Sequence, residues 1–209
     1  MRVARRYYLD LSPPKGIQLA VICGGYEECA ANYRVVREGF PHYVVEWVVR
    51  GKGRVCMNGE EHPLSKGSLF CYGPETLHEI ETDASRPLVK QFVSFVGKSA
   101  RKLLHLSALL PGVFTLASPR LDLAWIFDSL RRDGEPGDKL ASANCKALLR
   151  YLLIKLASTP STPNSENAGA YATFVRCDEY LVENAHFLAS LAELAEKCAI
   201  DETYLCRLY

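Results

Sequence analysis

Between residues 18 and 96 the chain is written in short runs of β-branched and aromatic residues, punctuated by Gly and Pro. The runs cover residues 18–23, 43–50, 53–57, 68–72 and 88–96; the breaks fall at Gly24-Gly25, Gly51, Asn58-Gly59, Lys66-Gly67 and Gly73-Pro74. Many short strands at this spacing fold as a barrel or a sandwich. Asn58-Gly59 is the sharpest local signal. A two-residue type I′ turn needs positive φ at both central positions, which Asn and Gly tolerate, so a hairpin is predicted there.

The pattern changes after about residue 118. Residues 122–132 carry Trp125, Ile126, Phe127 and Leu130 at helical spacing and stop at Asp133-Gly134-Glu135-Pro136-Gly137. Residues 138–158 form a longer helical segment that is apolar nearly all round. A helix lying on a sheet needs one apolar stripe, so surplus apolar surface implies either a second copy or enclosure within its own domain. Leu149, Leu152 and Leu156 are the candidate dimerisation residues, with two copies of the helix packed antiparallel. Residues 158–170 are Ser, Thr, Pro and Asn without an apolar period, the composition of a linker. Beyond them, Ser190 and Glu193 form a capping-box pair opening a helix at Leu191, and Asp201 is placed to cap a second helix from Glu202. Two short helices so joined have the helix-turn-helix shape.

The C-terminal pattern closely resembles the first helix-turn-helix of the AraC/XylS family of bacterial transcription regulators. It is carried by Leu191, Leu194, Ala195, Ala199, Asp201, Tyr204, Leu205, Arg207 and Tyr209, with residues 177–184 similar to the lead-in helix. The first half is compatible with the cupin-like sensor of many such regulators, through Pro41-His42, Gly51, Gly53, Asn58-Gly59, Pro63, Gly67, Gly73-Pro74 and His78. The resemblance implies a mixed α and β chain. Residues 1–117 are then an effector-sensing cupin-like β-barrel, 118–157 a helical dimerisation segment, 158–170 a linker, and 171–209 part of an all-α DNA-binding domain. The family's DNA-binding unit has two helix-turn-helix elements, so the sequence is expected to be a piece of a longer protein.

His42, Glu46 and His78 are the candidate pocket residues. His42 and Glu46 share one face of a strand, because side chains repeat every two residues. Two readings stand: the three hold a divalent metal, although Phe40 occupies the place of a further histidine ligand, or they hydrogen-bond a small effector or each other. No cofactor is required by the second reading. A metal-dependent cupin enzyme is the rival class, and the helix-turn-helix argues against it. No nucleophile, base and orienting group fall in a catalytic pattern. On the second short helix the resemblance points Thr203, Cys206 and Arg207 toward base edges, with Leu205 and Leu208 inward; only Arg207 has the forked donor suited to guanine. Arg5 and Arg6 read either as contacts to a ligand or partner domain or, in preference, as solvated surface charge.

Charge and cysteine usage limit the partners. The formal net charge is +1, but residues 171–209 hold seven acidic side chains against three basic ones. Phosphate neutralisation supplies much of the affinity for DNA, so this chain is expected to bind DNA poorly and the complete protein well. The eight cysteines include no CxxC pair and read as reduced small hydrophobes. No window approaches the ~20 apolar residues of a membrane span, and the basic N-terminus lacks the apolar run of a signal peptide. A cytoplasmic protein with no membrane partner is expected.

Overall fold

Strand β4 (Tyr43–Arg50) shows how the sheets are built. Tyr43, Val45 and Trp47 point to one hydrophobic cluster, and Val44 and Val48 to another. Both faces of the strand are therefore covered, which is why its sequence reads as a nearly continuous apolar run rather than an alternation. The computed structural model describes residues 1–107, 109–112, 114–116, 122–158, 173, 176–177, 180–181 and 184–208. The chain divides into two compact units, Met1–Ser161 and Thr162–Tyr209.

In the first unit the strands are β1 (Val3–Tyr8), β2 (Ala20–Glu28), β3 (Arg34–Glu38), β4, β5 (Gly53–Met57), β6 (Glu60–Leu64), β7 (Ser68–Tyr72), β8 (Leu77–Thr82), β9 (Val89–Val96) and β10 (Phe114–Leu116). They make a six-stranded antiparallel sheet in the order β1-β2-β9-β4-β7-β10 and a four-stranded one in the order β3-β8-β5-β6. The sheets face each other across Val44, Phe70 and Tyr72 of the larger and Val55, Met57 and Ile80 of the smaller. The Asn58-Gly59 hairpin forms as the sequence predicts, with φ of 51° and 89° and Met57 opposite Glu60.

The closed barrel expected from the sequence does not form among the described residues. The strands instead make two facing sheets. Their outer strands are poor templates for closure: β6 contains Pro63, which has no N–H to give, and is led by Glu60 and Glu61, while β3 carries Arg34, Arg37 and Glu38.

Helices α1 (Ala100–Ser107), α2 (Leu123–Gly134) and α3 (Lys139–Ser158) cover the other face of the large sheet. Asp122 caps α2 by accepting from the Trp125 amide at 2.9 Å, and Asp138 opens α3 by accepting from Ala141 at 2.8 Å. Ile126, Phe127 and Leu130 of α2 and Cys145, Leu149 and Leu152 of α3 share one core with Val45, Val93 and Phe95 of the sheet. Phe127 stacks on Trp47 at 5.8 Å between ring centroids.

This packing corrects the expected dimer face. Leu149 and Leu152 are fully buried within their own unit, and Leu156 is half-buried against the same core. A helix apolar nearly all round offers two stripes, and the sheet has taken the one holding these leucines. The stripe left outward carries Leu140, Tyr151 and Ile154, beside Trp125 of α2.

In the second unit two short helices, α4 (Leu191–Lys197) and α5 (Glu202–Leu208), follow one another. The Glu193 amide donates to Ser190 Oγ at 3.2 Å, and Glu193 Oε2 accepts from the Ala189 amide at 3.0 Å. Asp201 Oδ1 accepts from the Thr203 and Tyr204 amides, as its capping role predicts. Leu194, Ala195, Cys198 and Leu205 cluster with Cys177. The linker expected at 158–170 lies outside the described residues except at Ser158, as do residues 118–121, Tyr209 and half of the lead-in segment 177–184.

Candidate functional site

Alternate residues of β1, β2, β9 and β4 face the small sheet, and among them the large sheet carries a set of charges. Glu27 of β2 lies directly opposite Lys90 of β9, and Lys90 opposite Val48 of β4, two residues along from Glu46 on the same face. A register shift between Val21 and Cys23 turns the end of β2 over: Val21 joins the core under the helices, whereas Cys23, opposite Ser94, lines the space between the sheets.

Lys90 is 2% exposed, a depth at which a charge is tolerated only when it is met by others. Its Nζ lies 2.8 Å from both Glu27 Oε2 and Glu46 Oε2. Arg6 Nε donates to Glu27 Oε1 at 2.9 Å, and the Tyr72 hydroxyl donates to Glu46 Oε1 at 2.7 Å. The rings of Tyr33 and Phe92 each lie with their centroids 5.7 Å from the ammonium. Burial works against the lysine's charge, but Glu46, Tyr33 and Glu27 outweigh it and raise the ammonium well above its usual 10.5. Burial likewise opposes the Glu27 carboxylate, and Lys90 and Arg6 overcome it to hold the group below 4.5. Burial first, then Glu46, keeps the Tyr72 phenol protonated far above the ordinary range, so it remains a donor. Two cations and two carboxylates thus form one neutral network, buried at Lys90, Glu27 and Glu46 and reaching solvent at Arg6.

These residues line a cavity of about 260 Å³ between the two sheets, with Arg37, Phe40, Val44 and Ser94 on its wall. Ser94 Oγ is buried beside the Cys23 thiol and makes no hydrogen bond of normal geometry among the described residues, and the same holds for Glu46 Oε2 despite its contact with Lys90. Arg37 is exposed and stacks on Phe40, its guanidinium 4.8 Å from the ring centroid.

Of the three residues singled out from sequence, Glu46 alone lines this cavity. His78 is buried behind it, stacked on Tyr72 with 3.9 Å between centroids and its Nδ1 3.2 Å from the Thr76 carbonyl. His42 is half-buried with its ring edge-on to Phe40. Burial lowers the pKa of both imidazoles. The three do not converge as a metal site. Among the described residues no group of three or more His, Cys, Asp or Glu side chains is disposed to hold an ion. The physical reason is that the charge of the Glu46 carboxylate is already neutralised by the Lys90 ammonium, a cation built into the chain.

Sequence reasoning missed Lys90, Glu27, Tyr72 and Arg37; Arg6, preferred there as surface charge with ligand contact as the other reading, is exposed and lines the cavity. One signal was present: Lys90 stands between Val89 and Gln91-Phe92-Val93 in a strand otherwise read as apolar. Thr203, Cys206 and Arg207 are all exposed on α5, whereas Leu205 is buried and Leu208 half-buried.

A family model described as the AraC-like ligand binding domain matches residues 22–153. No curated protein matches the chain. Among solved structures, a Photorhabdus luminescens protein is 17% identical over 46% of this chain and 75% of its own, with a TM-score of 0.34. A cupin protein from Bacteroides fragilis is 15% identical over 44% and 86%, with a TM-score of 0.34. A salicylate 1,2-dioxygenase from Pseudoaminobacter salicylatoxidans is 21% identical over 44% and 26%, again at 0.34. These likenesses are too remote to say what the cavity holds. No described helix is long and apolar enough to cross a membrane.

Proposed function

Since the chain belongs to the AraC-like ligand binding domain family, we propose that it is the sensing part of a DNA-binding transcription regulator whose small-molecule effector sits in the cavity between the two sheets. The observation that carries this reading is the network of buried Lys90, Glu27 and Glu46 on the cavity wall, joined from the exposed side by Arg6. A core built for stability alone gains little from three buried charges, because well-packed apolar residues of similar volume serve as well or better. A polar cavity wall is what a specific ligand site needs. The protein acts as a binding protein and not as an enzyme, and it requires no metal, since Lys90 already neutralises the carboxylates that an ion would need.

Helices α4 and α5 are its first helix-turn-helix, with Thr203, Cys206 and Arg207 toward base edges; their exposure beside the buried Leu205 supports this. Effector binding shifts the placement of two such units in a homodimer, which requires different affinities for the two arrangements. The outward stripe of α3 and α2 is the dimer face, favoured by the edge-on contact of exposed Trp125 and Tyr151 at 6.1 Å and by exposed Ile154. The regulator works in the cytoplasm, where its eight free cysteines stay reduced.

Thermal melting against a library of small metabolites tests the effector site, because a ligand of the folded state raises Tm by mass action. A hit should lose its effect in Ser94→Leu, which fills the cavity; a hit undisturbed by that change would refute the site. For DNA, this chain should bind weakly and a longer chain carrying the second helix-turn-helix tightly, with Arg207→Ala then costing roughly 1–3 kcal/mol at one base pair. Specific binding at nanomolar strength by this chain alone would refute the assignment of a partial DNA-binding unit.

A further inference from the structure

The charges on the cavity wall specify more than the presence of a ligand. Arg6, Lys90, Glu27 and Glu46 cancel among themselves. Arg37 is left as the one charged side chain of the wall without an opposite charge among the described residues; the ring of Phe40 under its guanidinium is its contact. Because Arg37 is exposed and Lys90 is buried, the unmatched cation sits at the open end and the neutral network at the closed end.

At the closed end the hydrogen-bonding account is incomplete. An ammonium has three donors, and two of those of Lys90 face Glu27 and Glu46. Glu46 Oε2, met by Lys90 at 2.8 Å, keeps a second lone pair, and Ser94 Oγ is buried without a hydrogen bond of normal geometry. One N–H to give and a carboxylate oxygen to receive, side by side, match a single hydroxyl, which both accepts and donates. Between the two ends the wall is apolar and aromatic, formed by Val35, Val44, Ile80, Phe40 and Phe92. At about 260 Å³ the cavity falls below the usual range for drug-sized ligands, so the occupant is small.

We propose that the cavity binds a small organic monoacid with an apolar, ring-like body, its carboxylate forked on Arg37 and one hydroxyl held between Lys90 and Glu46. This rests on the cavity being the effector site. A guanidinium pairs with a carboxylate through two parallel hydrogen bonds. A cationic group on the ligand would meet Arg37 without compensation, and a body bearing many hydroxyls would leave most of them against Val35, Val44 and Ile80.

Isothermal titration with three probes of one shape tests this: 4-hydroxybenzoate, 4-hydroxybenzamide and benzoate. The hydroxy acid should bind one per chain, with the amide and benzoate each weaker by about tenfold or more. Arg37→Gln, at an exposed position that leaves the core intact, should weaken the hydroxy acid by about tenfold and bring acid and amide to near equality. Equal binding of acid and amide to the unaltered protein, or an unchanged affinity in Arg37→Gln, would overturn the monoacid assignment. Failure of all three probes at millimolar concentration would overturn it too. The underlying site stands or falls separately: it survives if a metabolite from the melting screen is lost in Ser94→Leu, and it fails if 4-hydroxybenzoate binds Ser94→Leu undiminished.

Discussion

The two faces of the six-stranded sheet come from the same strands and serve different ends. Toward the helices, Val45, Val93 and Phe95 meet Phe127, Leu149 and Leu152 in a dry apolar core. Toward the small sheet, Glu46 and Ser94, the immediate neighbours of those residues, and Lys90 farther along β9 surround a cavity. One residue's step along a strand separates packing from recognition, because successive side chains point to opposite faces. The helix face contributes stability through area and fit; the cavity face holds charges that are tolerated only as a set.

That contrast is broken most forcefully at Lys90. Lys90→Met leaves Glu27 and Glu46 buried without their cation and should cost about 3–5 kcal/mol, read by urea unfolding. Adding Glu27→Gln and Glu46→Gln should recover much of this while leaving ligand binding lost. Recovery of binding along with stability would show that the network is structural only. On the other face, Leu149→Ala should cost about 2–5 kcal/mol through the cavity it leaves, with ligand affinity and oligomeric state unchanged at temperatures where the protein stays folded. A monomer produced by Leu149→Ala would return that residue to the dimer face. Ile154→Glu, on the outward stripe, should do the converse, giving a monomer in sedimentation with little loss of stability.

A pH series sharpens the comparison with a smaller effect. Burial holds the His78 imidazole below its usual 6.5, so the unfolded chain takes up the proton first as the pH falls. Stability should therefore be level above about pH 6.5 and decline below it, and His78→Gln should flatten that decline. His42 is lowered by the same cause and acts with the same sign, so His42→Gln serves as the separate control. Glu27, held below 4.5, adds a second loss only in more acid solution. A decline below 6.5 that persisted undiminished in both variants would show that His78 is not a buried neutral group. The smallest effect belongs to Gln91, the polar residue that β9 turns toward α2, where its Nε2 donates to the exposed Asp128 at 3.3 Å. Gln91→Leu should change stability by less than about 1 kcal/mol, since Asp128 can turn to water. A loss as large as that of Lys90→Met would abolish the distinction between the faces.

The parts legible from sequence were those whose cause lies within a few residues. Asn58-Gly59 makes its turn because of what those two backbones tolerate. Helices α2 and α3 begin within a residue of their expected starts because Asp122 and Asp138 cap them locally, and the Ser190–Glu193 pair caps α4 by the same logic. The candidate site was legible only at Glu46. His42 and His78 were placed by spacing, and spacing does not say which face of which strand meets the cavity.

Sequence by itself therefore determined the strand-rich first half, the helices and their caps, the turn, and the likeness of the first half to an AraC-like ligand binding domain. Tertiary structure decided everything that depends on alignment between distant segments. Glu27 and Lys90 are 63 residues apart and meet because β2 and β9 pair in one register; a slip of one residue would turn Lys90 into the helix core. It also decided which stripe of α3 is inside. A helix apolar on two sides carries no local mark of which side the sheet will cover, and only the packing of Leu149 and Leu152 under Val93 and Phe95 settles it.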